Sequence, residues 1–403
     1  MASVARMSAS DDKAPPPIAS VLAELADLEA RGLHRRLPDT TGGNGTTITV
    51  GGKTALNFCS NNYLGLADHP ILAAAATSAM VEAGVGAGAA RLVTGNLALH
   101  RELEIDLAAW KGTPAALLFN SGYQANIGVV PALAGPEDAV YSDALNHASI
   151  VDGCRLSRAT IHAYPHLDID RLASLLAAGR HHRRRVVVTE SLFSMDGDLA
   201  PLAAIADLCR RNGAFLIVDE AHAGGALGPE GRGLCHDVGV DLQIGTLGKA
   251  LGVFGAYAAG SQPLMDLLVN RARSFVFSTA LPVPVVAAAR AALEMVRSVE
   301  GDRRRARLAA NVGRLREGLA AIGLLRGDEA PMHVLPLVVG DPQRTMALSA
   351  RLLEEGFFLQ GIRPPTVPAS SSRLRLTVTA SHRFEEIDAL IAALAVHRAE
   401  LRP

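Results

Sequence analysis

The chain has 403 residues, a formal net charge of −1, 49% hydrophobic and 20% charged residues. That length suits one large domain with a smaller one, and the near-neutral charge argues against a nucleic-acid or membrane surface as partner. Four widely spaced cysteines, Cys59, Cys154, Cys209 and Cys235, form no C-x-x-C pair, so neither a zinc or other metal site of that kind nor a disulfide framework is suggested, and reduced thiols in a cytoplasmic setting are expected.

Residues 1–16 are polar and proline-rich without an apolar signal core, and read as a flexible tail. Ile18, Val21, Leu22, Leu25 and Leu28 recur at helical spacing and predict an amphipathic helix over 18–31, stopped by Gly32. The basic cluster His34-Arg35-Arg36 follows, either a solvated helix end or an anion grip. Residues 46–50 and 55–58 predict a hairpin around Gly51-Gly52, giving an N-terminal segment over 17–60. The glycines at 84, 86 and 88 are followed by Ala89, so the G-x-G-x-x-G dinucleotide fingerprint is absent. Residues 100–110 are helical, with Leu103, Leu107 and Trp110 on one face.

Short apolar runs then alternate with helix-length spans. Strands are predicted at 116–119, 139–141, 160–163, 186–189, 215–218, 243–246 and 253–258. The alternation predicts an α/β fold, a mostly parallel seven-stranded sheet wrapped by helices, in a large domain over 61–300. From 261 to 323 the pattern is largely helical. A small C-terminal α+β domain over 301–403 is expected, with strands at 334–339, 357–361 and 374–378 and helices at 345–355 and 384–397. No run of 18 apolar residues predicts a spanning helix.

The chemistry centres on Thr246-Leu247-Gly248-Lys249. A lysine set among small and apolar residues is desolvated, which lowers its pKa and frees a nucleophilic amine for a Schiff base. The apolar run 215–218 ends in Asp219-Glu220-Ala221-His222, and a carboxylate there needs a partner. Ser121-Gly122-Tyr123 opens a helix after a strand, where free N–H groups bind phosphate and the glycine allows close approach. His147 follows another strand. In an open α/β sheet these strand ends meet in one crevice. A lysine, an aspartate, a histidine and a helix start are the parts of a pyridoxal 5'-phosphate site: the aspartate would keep the pyridine nitrogen protonated, so that the ring acts as an electron sink.

Six motifs carry a resemblance in combination: Asn57-Phe58-Cys59-Ser60-Asn61-Asn62-Tyr63-Leu64-Gly65-Leu66, Asn120-Ser121-Gly122-Tyr123, the run from Ser142 to Ser149, Phe193-Ser194-Met195-Asp196-Gly197, Asp219-Glu220-Ala221-His222 and Thr246-Leu247-Gly248-Lys249. From about Leu33 onward the chain resembles the α-oxoamine synthases, fold-type I pyridoxal phosphate transferases. The resemblance implies that Lys249 holds the cofactor, that His147 stacks on its ring and serves as an acid, and that Tyr123 borders it. Ser194 and His222 would sit near its phenolic oxygen, and Thr246 would contact its phosphate. Ser278-Thr279 resembles the segment that reaches the phosphate from a neighbouring subunit, which implies a homodimer with shared sites. For the substrate, the resemblance implies Asn61 and Arg375 at an amino-acid carboxylate, Arg363 and Thr366 facing an acyl chain, and a contact from Arg35 or Arg36, with His34 also open in that register. The Arg363-Pro364-Pro365-Thr366-Val367-Pro368 stretch points to the branch that joins L-alanine to pimeloyl-CoA or pimeloyl-acyl carrier protein, a step of biotin biosynthesis.

Two other readings stand beside this one. Asp219-Glu220-Ala221-His222 also matches the acidic motif of some helicases, but Ala250 follows Lys249 and Gln243 stands where a phosphate loop needs its first glycine. A different amino acid, glycine or serine, or an aminotransferase reaction on the same core site, would leave most of these motifs in place.

Overall fold

In the computed structural model, which describes residues 17–42, 45–325 and 332–401, the apolar runs form one seven-stranded sheet. The expected tail over 1–16 lies outside the described residues. The chain enters through α1 (Pro17–Ala30), β1 (Thr40–Thr41) and the hairpin β2 (Thr47–Val50)–β3 (Lys53–Asn57), then α2 (Pro70–Ala83) and α3 (Ala98–Lys111). Next comes the alternation that builds the sheet: β4 (Ala115–Phe119), α4 (Gly122–Leu133), β5 (Ala139–Asp143), α5 (Ala148–Ser157), β6 (Thr160–Tyr164), α6 (Ile169–Ala178), β7 (Arg185–Glu190), α7 (Leu202–Asn212), β8 (Phe215–Asp219), β9 (Leu242–Thr246) and β10 (Ala256–Gly260).

Strand order is β4-β10-β9-β8-β7-β5-β6. Strands β6, β5, β7, β8 and β9 pair in parallel, and β10 runs antiparallel between β9 and β4. Val186, Val187, Val188, Leu216, Ile217 and Val218 have no exposed surface, as strands covered on both faces require. The parallel strands and β4 therefore all end at one edge, followed by Ser121, His147, Ser194, His222 and Lys249.

Helices α8 (Gln262–Arg271), α9 (Arg273–Val276), α10 (Val283–Val296) and α11 (Val299–Ala321) lead to the C-terminal part: β11 (Val334–Gly340), α12 (Pro342–Glu354), β12 (Phe357–Phe358), β13 (Gln360–Ile362), β14 (Ser372–Thr377) and α13 (Phe384–Val396). Strands β11, β14 and β13 form an antiparallel sheet. One apolar core, with Trp110, Tyr257, Leu251, Leu308, Leu374 and Leu390 among its members, runs from the face of the large sheet into this C-terminal part. No helix of the described residues is long and apolar enough to cross a membrane.

Two expectations need correction, and one helix was not foreseen. The strand predicted over 253–258 runs instead from Ala256 to Gly260, because Leu247 N donates to Gly255 O and Val253 N to Leu247 O, which bends 247–255 into the turn that carries Lys249. The single strand predicted over 357–361 is two: β12 pairs in parallel with β3, and after Leu359 the chain crosses to pair β13 with β14. Helix α2, unread in the sequence, packs against α10. Its run of alanines gives no sharp apolar face for periodicity to detect.

Candidate active site

Lys249 follows β9 in a turn closed by Gly252 N donating to Lys249 O at 2.9 Å. Its Nζ lies 2.7 Å from His222 Nε2. Burial lowers the amine to about 8, with the Arg375 charge pushing the same way and Asp219 and Glu190 opposing. Such an amine gives up its proton near neutral pH far more readily than an ordinary lysine.

Asp219 closes β8 and is buried. Its Oδ2 accepts from Asn126 Nδ2 at 2.7 Å and its Oδ1 from Ala221 N at 2.8 Å. Glu190 ends the neighbouring strand in register with Asp219. Its Oε1 accepts from His147 N at 2.6 Å. Burial, then the Asp219 charge, raises the Glu190 carboxyl to about 8. His147 caps α5, opens to the cleft on one side, and has its pKa lowered by the burial of the other. Ser149 Oγ lies 2.7 Å from His147 Nδ1, and Ser149 N donates to the same nitrogen at 3.2 Å. Because Nδ1 accepts, the neutral ring carries its proton on Nε2, free to act as a donor in the cleft.

Ser121 caps α4 by accepting from Gln124 N at 3.2 Å. The N–H groups of Gly122 and Tyr123, in the first turn, have no acceptor within the helix. A Cβ on Gly122 would meet no atom within 4 Å, so the space above this helix end is open. Tyr123 is exposed and donates to Asp152 Oδ2 at 2.6 Å. Thr246 Oγ1 is engaged inside the turn, donating to Gly255 O and accepting from Gly248 N, each at 3.1 Å. Ser278 Oγ and Thr279 O both accept from Asn120 Nδ2 at 2.9 Å, one residue before the α4 cap of the same chain.

A second group faces Lys249 from the N- and C-terminal parts. His222 Nδ1 lies 2.6 Å from Tyr63 Oη, which donates to Asn61 Oδ1 at 3.0 Å. Arg375 Nη1 donates to the same Asn61 oxygen at 3.1 Å, and its Nε donates to Ser194 O at 2.7 Å. Arg373, two residues before on β14, is paired with Asp196 at 2.6 Å. Arg375 is buried yet held by neutral oxygens, so its guanidinium charge suits a carboxylate. His333 supports this group by donating from Nε2 to His222 O at 2.9 Å, its ring centroid 4.1 Å from that of Tyr63. Burial depresses the His333 pKa to about 3.

Arg35 and Arg36, in the segment after α1, and Arg363 and Thr366, in the loop after β13, belong to two segments that meet each other rather than the lysine. Arg363 is buried, donates to His34 O and keeps an unpartnered Nε. Burial, then the Arg35 charge, lowers its pKa. Arg35 donates to Pro364 O at 3.0 Å, while Arg36 reaches only Glu29 at 3.4 Å. Thr366 is exposed, and its N–H donates to Arg363 O at 3.2 Å.

Asn126, Ser149, Glu190, Tyr63 and His333 were not singled out by sequence reasoning. Asn126 lies inside a helix and His333 enters from a distant strand, so no local motif marks them. Tyr63 could have been found from its place two residues after Asn61. Among the described residues, no group of three or more His, Cys, Asp or Glu side chains could hold a metal ion. The groups present fit a flat aromatic aldehyde bearing a phosphate: an amine, a buried carboxylate, an imidazole donor and an open helix start.

The family model for aminotransferase class I and II matches residues 53–394. A protein named 8-amino-7-oxononanoate synthase in Anaeromyxobacter dehalogenans is 53% identical over 387 residues, covering 94% of this chain and 96% of the relative. A protein of the same name in Geobacter sulfurreducens is 51% identical over 381 residues, covering 93% and 97%. Among solved structures, a Sphingomonas wittichii serine palmitoyltransferase superposes with a TM-score of 0.87 at 32% identity, covering 94% of this chain and 97% of that one. A Francisella tularensis 8-amino-7-oxononanoate synthase does so with 0.73 at 26% identity, covering 86% and 99%.

Proposed function

Since the chain belongs to the aminotransferase class I and II family and, within it, to the α-oxoamine synthases, we propose that it condenses L-alanine with a pimeloyl thioester. The products are 8-amino-7-oxononanoate, carbon dioxide and free thiol, a step of biotin biosynthesis. The observation that carries this reading is the meeting, in one cleft, of the depressed Lys249 amine with Arg375, a buried guanidinium held by neutral oxygens. The first suits an aldehyde; the second suits the carboxylate of an amino acid.

Pyridoxal 5'-phosphate, when bound, supplies the aldehyde for Lys249 and a ring that takes up the electron pair left by the departing α-proton. Asp219 would pair with the ring N–H, with Asn126 holding the carboxylate in place. The Ser121–Tyr123 helix start would take the phosphate with Thr246 nearby. Ser194 and His222 would flank the phenolic oxygen. Arg375 and Asn61 orient the alanine carboxylate. Lys249 Nζ removes the α-proton, holds it, and returns it to the product carbon once carbon dioxide has left. His147 Nε2–H donates to the thioester carbonyl oxygen as charge gathers there. Arg35 and Arg363, near enough for the charge of one to lower the pKa of the other, would offer cationic contacts to an anionic carrier, coenzyme A or an acyl carrier protein, and Arg36 and Thr366 would add to them.

A homodimer in the cytoplasm completes this reading, with Ser278 and Thr279 of one copy reaching the other's phosphate site. The exposed Phe277, Val93, Leu92 and Phe254 are large apolar side chains that such an interface would cover.

The test is the visible spectrum of the purified protein on addition of L-alanine, glycine or L-serine, followed by pimeloyl-CoA with assay of free thiol. L-Alanine alone is expected to change the spectrum and to support thiol release. A response to glycine or serine instead moves the chain to another branch of the family. Lys249→Ala is expected to abolish the cofactor band and nearly all turnover; retained turnover refutes the assignment of Lys249.

A further inference from the structure

The hydrogen bonds that join Arg375 to Lys249 admit only one set of directions. A guanidinium carries donors and no acceptor, so Asn61 must present its oxygen to Arg375, not its NH₂. That same oxygen faces Tyr63 Oη at 3.0 Å, so Tyr63 must donate to it. Burial pushes the Tyr63 hydroxyl pKa up, and the group keeps its single proton. With that proton given to Asn61, the 2.6 Å contact between Tyr63 Oη and His222 Nδ1 is a hydrogen bond only if Nδ1–H is the donor. Burial, then the charges of Lys249 and Arg375, hold His222 neutral, so one ring proton is available. His222 Nε2 is therefore a bare lone pair, and the 2.7 Å contact to Lys249 is a bond donated by the lysine.

We infer that Tyr63 is a positioning residue: it fixes His222 as the Nδ1–H tautomer, so that Lys249 donates to His222 and its own lone pair stays free for the cleft. The opposite tautomer would place an N–H of His222 against Lys249 and occupy the lone pair that has to attack an aldehyde. A tyrosine distant in sequence from the lysine, in the loop after β3, thus governs the lysine's nucleophilicity through a single proton. His333 holds the Tyr63 ring from the other side, so the hydroxyl has little freedom to turn away. The inference rests on the reading of Lys249 as the amine that meets the cofactor aldehyde.

The experiment uses the full chain freed of cofactor. Nitrogen NMR of ¹⁵N-histidine protein at pH 9, where most of the Lys249 amine is neutral and can either donate or accept, with the His222 signals assigned by their loss in His222→Asn, is expected to show a protonated Nδ1 and a bare Nε2. A protonated Nε2 in the wild type overturns the inference without need of any other variant. Tyr63→Phe keeps the ring and removes the proton; its His222 signals are expected to shift toward the Nε2–H form. Asn61→Asp, which keeps an acceptor before Tyr63, should retain the wild-type tautomer. On mixing with pyridoxal 5'-phosphate, Tyr63→Phe should develop the visible band roughly tenfold more slowly, the worth of one orienting hydrogen bond. In the loaded enzyme kcat should fall by a similar factor, whereas a rise in KM for L-alanine would report the Asn61 contact that Tyr63 also makes; the His222 tautomer is the readout that a loosened fold would not move. Equal rates of band formation in wild type and Tyr63→Phe refute the role of Tyr63. A wild type that forms no band at all refutes the reading of Lys249 instead.

Discussion

Replacing Lys249 by Met tests the desolvation of the amine without any cofactor. In the folded chain the amine titrates at about 8, against an ordinary 10.5. Between those pH values the unfolded chain holds a proton that the folded chain has released. Stability therefore rises with pH across the window from 8 to 10.5, and below pH 8 the wild type bears the full cost of a buried ammonium. The gap corresponds to about 3 kcal/mol, or roughly 4 °C in melting temperature for a chain of this size. Met fills the same space with no charge. Urea unfolding of cofactor-free wild type and Lys249→Met should show the variant more stable at pH 7, with its advantage shrinking by about 3 kcal/mol toward pH 10.5. Glu190 loses the Lys249 charge in the variant and its raised carboxyl pKa moves further up, so the comparison is made between Glu190→Gln and the Glu190→Gln, Lys249→Met double variant, in which that titration is absent. An advantage that stays the same at both pH values would show that Lys249 is not desolvated in the fold, and the argument for its nucleophilicity would fail with it.

Lys111 and Glu220 form an ion pair at 2.5 Å with almost no solvent access, next in sequence to Asp219, and Glu220 Oε1 also accepts from Cys235 N at 3.0 Å. Lys111→Met should destabilise by about 3–5 kcal/mol in denaturant unfolding, and adding Glu220→Gln should recover most of the loss. A Cβ at Gly245 would fall 2.3 Å from the Tyr257 ring. Gly245→Ala should cost roughly 1–3 kcal/mol and, because β9 delivers Lys249, should weaken retention of the cofactor band on dialysis. Burial raises the thiols of Cys154 to about 11, and of Cys59 and Cys209 to about 12. An aromatic disulfide reagent at pH 8 should leave these three unreacted in the native protein and titrate all four cysteines in urea.

The sheet was legible because its inner strands are buried on both faces and leave continuous apolar runs between helical spans, while the edge strand β6 is largely exposed. Where a run served a turn instead, as at Val253 and Phe254, hydropathy misled. Phe254 is 54% exposed despite its apolar surroundings. The split of 357–361 into two strands was invisible because each half pairs with a partner far away in sequence. Lys249, Asp219 and His147 could be read because each follows a recognisable strand end. Glu190 also ends a strand, but its partner, the His147 amide, leaves no trace in composition. Arg373 and Arg375 lie two residues apart on β14, so strand alternation puts both on one face and cannot tell them apart. Only the position of Asp196 separates the arginine that is already neutralised from the one that is not.

Strand β12 completes the N-terminal hairpin, with Leu56 N donating to Gly356 O and Phe58 N to Phe358 O. Thr377 N, further along, donates to Phe58 O. A ribosome adding about 5–20 residues per second needs roughly 15–60 s to travel from the hairpin to β12. For that time the outer edge of β3 has no partner, and open edges recruit other strands. Tyr63 and Asn61 lie just beyond this hairpin, and Arg375 lies on β14, so the cleft cannot close until synthesis is nearly finished. The large sheet, whose strands all precede residue 261, can assemble first and wait. A nascent chain is thus able to hold Lys249 in place well before it has anything with which to grip a carboxylate.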